Sequence, residues 1–155
     1  MAEMRQYIPP PRKRSEFEDG NTELHEWSSK GDYDRVLLLL LQGTNSNVCN
    51  IWKHTPLHLA SSGGHLDVML LLLDSGACVN ARDHQSLTPL HHAVIHRNKK
   101  SVELLLSYGA SPYNADDVTD TYSPFLLSES IPSCHMLIKD LAGDLLQKGL
   151  HNTRV

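Results

Sequence analysis

TPLHLA, residues 55–60, returns 33 positions later as TPLHHA, residues 88–93, and has a looser copy 33 positions earlier, TELHEW, residues 22–27. A recurrence at fixed spacing marks a chain built from one stacked unit, and the rest of the sequence keeps the same beat. Gly43, Gly76 and Gly109 repeat at that interval. Each closes a leucine run: VLLLLL before Gly43, VMLLLL before Gly76, VELLL before Gly109. A weaker fourth copy, SPFLLS, begins at Ser123, which is 35 positions after Thr88, so two extra residues enter between Gly109 and Ser123.

Local chemistry explains one unit. Thr55 is an N-cap whose side chain can accept from orphan N–H groups, and Pro56 suits the first helical position, where its missing N–H costs nothing. The helix that follows is expected to end at Gly63 and Gly64. A second helix is expected over about 66–75, with Val68, Leu71 and Leu72 on one face and Gly76 as a left-handed cap. A polar turn, NARDHQ, lies in the link over 79–87 that leads to the next unit. Two such short helices cannot bury enough apolar surface alone, so successive hairpins must stack into a continuous core. The leucine stripes are that stacking surface and not a cofactor pocket.

Both period and wording resemble the ankyrin repeat, whose signature is T-P-L-H-x-A at 33-residue spacing. The second unit, TPLHLASSGGHLDVMLLLLDSGACVNARD, is similar to the family pattern almost throughout, including Gly64-His65 and the GA-x-VNA of 76–81. The resemblance covers 21–149 and implies an all-α repeat solenoid, with helix-turn-helix units joined by β-hairpin-like turns. Four repeats are expected, near 21–53, 54–86, 87–121 and 122–149, the outer two degenerate as capping units tend to be. An N-terminal arm, 1–20, and a tail, 150–155, flank them. The first unit departs from the pattern at Glu23, in place of Pro, and at Trp27, in place of a small Ala, where the ring is expected to cover the end of the stack. In the third, Arg97-Asn98 stands where Gly-His ends the helix. The fourth keeps Ser123-Pro124, loses the His and carries Pro132.

Composition narrows the class. At 155 residues the chain suits one domain, and 40% hydrophobic with 21% charged residues is ordinary for a globular protein. A net charge of −4 and a pI near 6.2 argue against affinity built on nucleic-acid phosphates. The longest apolar run, 36–41, is far too short to cross a bilayer. Cys49, Cys78 and Cys134 form no C-x-x-C pair and no apolar leader opens the chain, so a reducing compartment, cytoplasm or nucleus, is expected. The arm pairs PPPRKR with SEFEDG, a short charge run that reads first as solvated and second as a weak import or acidic-partner signal.

Ten histidines are the most suggestive residues. His25, His58 and His91 share one slot in three units, and the family resemblance implies that this imidazole bonds near the capping Thr and bridges to the neighbouring turn. His65 is scaffold by the same resemblance. His92 and His96 stand four apart on one helix, so a metal is chemically conceivable there, but no Cys, Asp or Glu lies near them in sequence, and no metal or other cofactor is assigned. No nucleophile frame or phosphate loop appears; Gly63-Gly64 is a helix stop. Cys78 is expected to be a small buried apolar group and Cys49 falls in a link.

The reading is therefore a non-enzymatic module that binds one or more proteins through the concave face of the solenoid, as adaptor, inhibitor or assembly subunit, with no nucleic acid and no membrane. Its alternative is a metal- or thiol-dependent regulatory activity using His and Cys. Carried over from the family's variable contact positions, the candidate partner-binding residues are Ser29, Lys30, Ile51, Trp52, His54, Ser62, His84, Gln85, Leu87, Ile95, His96, Val118, Thr119 and Tyr122. Trp52 leads them, because aromatic anchors dominate interface energetics. The turn NADDVTDTYS, with Asp116, Asp117 and Asp120, suits a basic partner segment; it lacks the spaced ligands and terminal Glu of an EF-hand calcium loop.

Overall fold

A computed structural model describes residues 19–112 of the chain as three helical hairpins in a row. The first pairs α1 (Glu23–Lys30) with α2 (Tyr33–Leu41), the second α3 (Pro56–Gly63) with α4 (Leu66–Asp74), and the third α5 (Pro89–Ile95) with α6 (Lys99–Ser107). Among the described residues there is no strand and no helix long and apolar enough to cross a membrane. The leading helices pack in the series α1, α3, α5, and the trailing helices in the series α2, α4, α6, which makes two helical layers. The fourth unit expected from the sequence lies outside the described residues.

The core repeats with the sequence. Leu24, Leu57 and Leu90 are buried at 33-residue intervals, as are Val36, Met69 and Val102 from the trailing helices. Ala60 and Ala93 leave room for close approach between leading helices, and Trp27 takes that slot in the first unit. Half-buried against the core, Trp27 carries the Arg35 guanidinium 3.8 Å from its ring centroid and Lys30 at 4.7 Å. In α4 the buried stripe is Val68, Met69, Leu72 and Leu73, while Leu71 is only partly covered, so Met69 belongs to the core that the leucine run disguised.

Each leading helix opens with the same device. Threonine is the N-cap and histidine stands three residues into the helix, forming a capping box at Thr22/His25, Thr55/His58 and Thr88/His91. In the second unit His58 Nδ1 accepts from the Thr55 N–H at 3.0 Å and meets Thr55 Oγ1 at 2.9 Å. His58 Nε2 lies 3.0 Å from the Leu87 carbonyl, and His25 Nε2 lies 2.8 Å from the His54 carbonyl. A carbonyl cannot donate, so each ring is neutral with its proton on Nε2. One imidazole thus closes its own helix start and pins the next unit's turn. Asparagines repeat the principle at the other end of the stack: Asn47 donates to the Gly76 carbonyl and accepts from the Cys78 N–H, and Asn80 treats Gly109 and Ser111 the same way.

Helix ends follow the period as well. Gly31 and Gly64 close α1 and α3 at φ 74° and 71°, and Arg97 holds the equivalent place after α5 at φ 58°. An L-residue pays roughly 1 kcal/mol or more for the left-handed region that glycine enters freely. Arg97→Gly is accordingly expected to raise stability by about 1 kcal/mol, seen as a higher urea midpoint at unchanged slope; an unmoved midpoint would show that the arginine side chain offsets the strain. Gly63 has a different duty. A Cβ there would meet the His65 ring at 2.4 Å, and His65 uses Nε2 to donate to the Ser29 carbonyl at 2.8 Å. Asn98, one period later, replaces that imidazole and donates to the Ser61 and Ser62 carbonyls at 2.9 and 2.8 Å.

Candidate functional site

The turn between units is shaped by one side chain in each copy. Asn50 Oδ1 accepts from the N–H groups of Trp52 and His54 at 3.0 and 2.9 Å. Asp83, one period on, offers Oδ1 to the N–H groups of Gln85 and Leu87 at 2.8 and 3.0 Å. Lys53 and Ser86 sit at the same turn position in the left-handed region, φ 60° and 63°, and complete the tight bend. Adjacent turns are stitched together by the His84 N–H, which donates to the Trp52 carbonyl at 3.0 Å, so the link is hairpin-like without forming a strand.

Once the turn is made, one atom of each side chain is left over, and here the copies differ. Asn50 uses Nδ2 to donate to Asn21 Oδ1 at 2.9 Å, a neutral amide pair between consecutive units. In the next copy His54 stands where Asn21 does, Asp83 where Asn50 does, and His92 occupies the slot of Leu59. Asp83 Oδ2 therefore faces His92 Nε2 at 2.9 Å and His54 Nε2 at 3.4 Å. The Asp83 side chain is wholly buried, His92 is 13% and His54 21% exposed, so the group opens to solvent on its histidine side. Ring contacts extend it in a continuous strip: Trp52 lies 6.1 Å from His54, His84 6.5 Å from His54, His92 5.3 Å from His54, and His96 stacks on His92 at 6.4 Å, all between centroids.

Electrostatics follow from the burial. Desolvation, and then the neighbouring His92, keep His54 below the ordinary imidazole value despite the attraction of Asp83. His58, behind it and fully buried, is pushed down to about 4, chiefly by burial. Burial also pushes Asp83 up, but the hydrogen bonds from His92, Leu87 and Gln85 outweigh it and hold the carboxyl below its usual value. The carboxylate is thus ionised, and His54 and His58 are held toward the neutral form, at neutral pH.

Of the candidate partner-binding residues, the structure brings Trp52, His54, Ser62, His84 and His96 together around Asp83 and His92, with the Gln85 backbone on Asp83. Exposed Ile51 and Ile95 stand beside Trp52 and His96 in sequence and border this strip. Leu87 is half-buried and its carbonyl is the acceptor for His58, which makes it a scaffold contact. Ser29 and Lys30 lie at the end of α1, the first using its carbonyl for His65 and the second pairing with Glu26 at 2.6 Å. Val118, Thr119 and Tyr122 and the acidic turn lie outside the described residues. Cys78 does not behave as expected: it is exposed, as is Cys49, because the backbone of 78 and not its side chain is held by Asn47.

Two members of the cluster escaped the sequence reading. Helical spacing pairs His92 with His96 four residues on, whereas its side chain turns to Asp83, nine residues back. Asp83 was one polar residue among several in NARDHQ, and aligning it with Asn50 by the period would have exposed both its turn role and its spare oxygen.

The repeated capping box, the glycine ends and the clamp from one unit to the next are matched by comparison with known families. The family model for ankyrin repeats matches residues 24–116 in three copies, a family that generally mediates protein–protein contact and is typically non-enzymatic. No curated protein matches the chain. With more than half its length covered by that match, and with the capping threonine and histidine of each unit in their structural places, the chain belongs to the ankyrin repeat family.

Proposed function

We propose that the chain is a binding module that captures a partner protein on the side where the turn tips and leading helices meet, the concave face of the solenoid. One observation carries this reading: Trp52, 37% exposed, stands between exposed Ile51 and the His54–His84 rings instead of filling the core. An aromatic ring flanked by isoleucine and by hydrogen-bonding imidazoles has the composition of an interface anchor with a polar surround. Ile95 and His96 extend the surface onto α5. The module acts as an adaptor, an inhibitor or an assembly subunit within the cytoplasm or nucleus, without a catalytic step of its own. Nothing in its charge favours nucleic acid, and four repeats, the last beginning near 122, make up the array.

Affinity capture with the full chain tests the proposal. Trp52→Ala is expected to weaken capture of the partner by about 30-fold or more, the loss typical of an interface hot spot, with helical circular dichroism unchanged. Retention of every partner by Trp52→Ala, and also by variants at His84 and Ile95, would show that binding lies elsewhere.

A further inference from the structure

We propose that His54, Asp83 and His92 form a binding site for a zinc-class divalent cation, held between the second and third units. The proposal stands independently of the partner-binding reading. It starts from a comparison internal to the molecule. At the junction of the first and second units the scaffold needs only the amides of Asn21 and Asn50, joined at 2.9 Å. One period later the same two places hold His54 and Asp83, and a third ligating residue, His92, replaces the aliphatic Leu59. Three substitutions of neutral or apolar groups by metal-ligating ones converge on one point, though the turn would be held equally well by amides.

The geometry suits the ion. One donor atom from each of the three residues lies within 4.8 Å of the other two. Ligands of a tetrahedral zinc site with bonds of about 2.0–2.1 Å stand about 3.3 Å apart, and two of the edges are 3.4 Å for His54 Nε2 to Asp83 Oδ2 and 2.9 Å for His92 Nε2 to Asp83 Oδ2. Two imidazoles and one carboxylate, with the histidine side open to water, make a three-ligand set with a free fourth position. Nitrogen donors in the majority favour zinc, cobalt or copper over calcium and magnesium, which prefer oxygen.

Outer contacts are already in place. Asp83 Oδ1 is fixed by the Gln85 and Leu87 N–H groups, which leaves Oδ2 as the donor. Ser62 Oγ lies 3.1 Å from His92 Nδ1 and donates to the His58 carbonyl at 3.1 Å. With its single proton on that carbonyl, the hydroxyl accepts from Nδ1–H of His92, which leaves Nε2 to face Asp83. A proton on Nε2 makes the 2.9 Å hydrogen bond to Asp83, and a metal taking that proton's place breaks no hydrogen bond on the ring's far side.

The test titrates Zn²⁺ and Co²⁺ separately into the full, reduced chain after chelator treatment, with a competing indicator for affinity and the visible ligand-field absorption of Co²⁺ for geometry. One equivalent is expected to bind, with the intense bands of four-coordinate cobalt, while Ca²⁺ and Mg²⁺ at the same concentration leave the signal unchanged. The double variant His54→Asn with Asp83→Asn rebuilds at this junction the amide pair that joins Asn21 to Asn50, so it keeps the fold while deleting two ligands. It is expected to weaken Zn²⁺ by more than about 100-fold, beyond what outer-shell changes cause, as is His92→Leu, which restores the residue type of position 59. Serine in place of Cys49, Cys78 and Cys134 together should leave binding intact. Absence of a one-equivalent complex, affinity that survives the double variant in a chain of unchanged helicity, or affinity that follows the cysteines would each overturn the proposal.

Discussion

Replacing His58 with alanine is expected to cost about 4 kcal/mol of folding stability. The imidazole is fully buried and makes three contacts at once: it accepts from the Thr55 N–H, meets the Thr55 hydroxyl and donates to the Leu87 carbonyl. Truncation orphans a donor and an acceptor at about 1–3 kcal/mol each and leaves a cavity between α3 and the next turn. Since a domain of this size is stable by roughly 5–15 kcal/mol, the variant should show a much lower urea midpoint. His58→Gln separates the two roles. Glutamine three residues into a helix can still satisfy the N-cap N–H, as in an ordinary capping box, but it is not shaped to reach the following unit as well, so about half the loss should remain. A deficit below about 1 kcal/mol in the alanine variant would contradict the bridging role.

Acid should loosen the stack well before the carboxylates titrate. His58 is held near pKa 4 against an ordinary 6.5, mainly by burial, and His25 is lowered for the same first reason. Between those two values the unfolded chain binds the proton that the folded chain refuses, so stability is fully present above pH 6.5 and is lost as pH falls toward 4. The His58 gap corresponds to about 3 kcal/mol at 1.36 kcal/mol per unit, and His25 acts in the same direction. Asp83 does not blur this window, because its carboxyl is held below the usual 3.8 and gives up its contribution only at still lower pH. Denaturant midpoints measured from pH 7.5 to 4 should therefore decline for the wild type and decline distinctly less for His58→Gln. Parallel slopes for the two would remove His58 as the cause.

How much of this was legible in the sequence depends on whether a residue's task repeats. The capping threonines, their histidines and the glycine ends recur every 33 residues because every junction needs them, and a task performed three times shows as a period. Arg97 and Asn98 break the wording without breaking the structure: arginine accepts the left-handed backbone and asparagine takes over the carbonyl contacts of His65. Met69 was hidden in a run of leucines, where four neighbouring apolar residues give helical spacing no contrast. Cys78 was misjudged because its backbone is clamped while its side chain points away. The cluster at Asp83 was illegible for the opposite reason to the caps. It occurs once among the described residues, and its members are brought together by a turn and not by helical spacing.

The clamps described for the capping histidines and for Asn47 and Asn80 all run from one hairpin to its immediate successor. Order in such a molecule is passed along hand to hand, with no central body to which distant parts report. A disturbance at one junction should then be felt as a boundary: amide hydrogens on the far side of a damaged clamp exchange faster, while those on the near side keep their pace. The junction at Asp83, with its added charge and two extra imidazoles, differs chemically from the one before it. That difference gives an otherwise repetitive ladder one rung where solution conditions can grip.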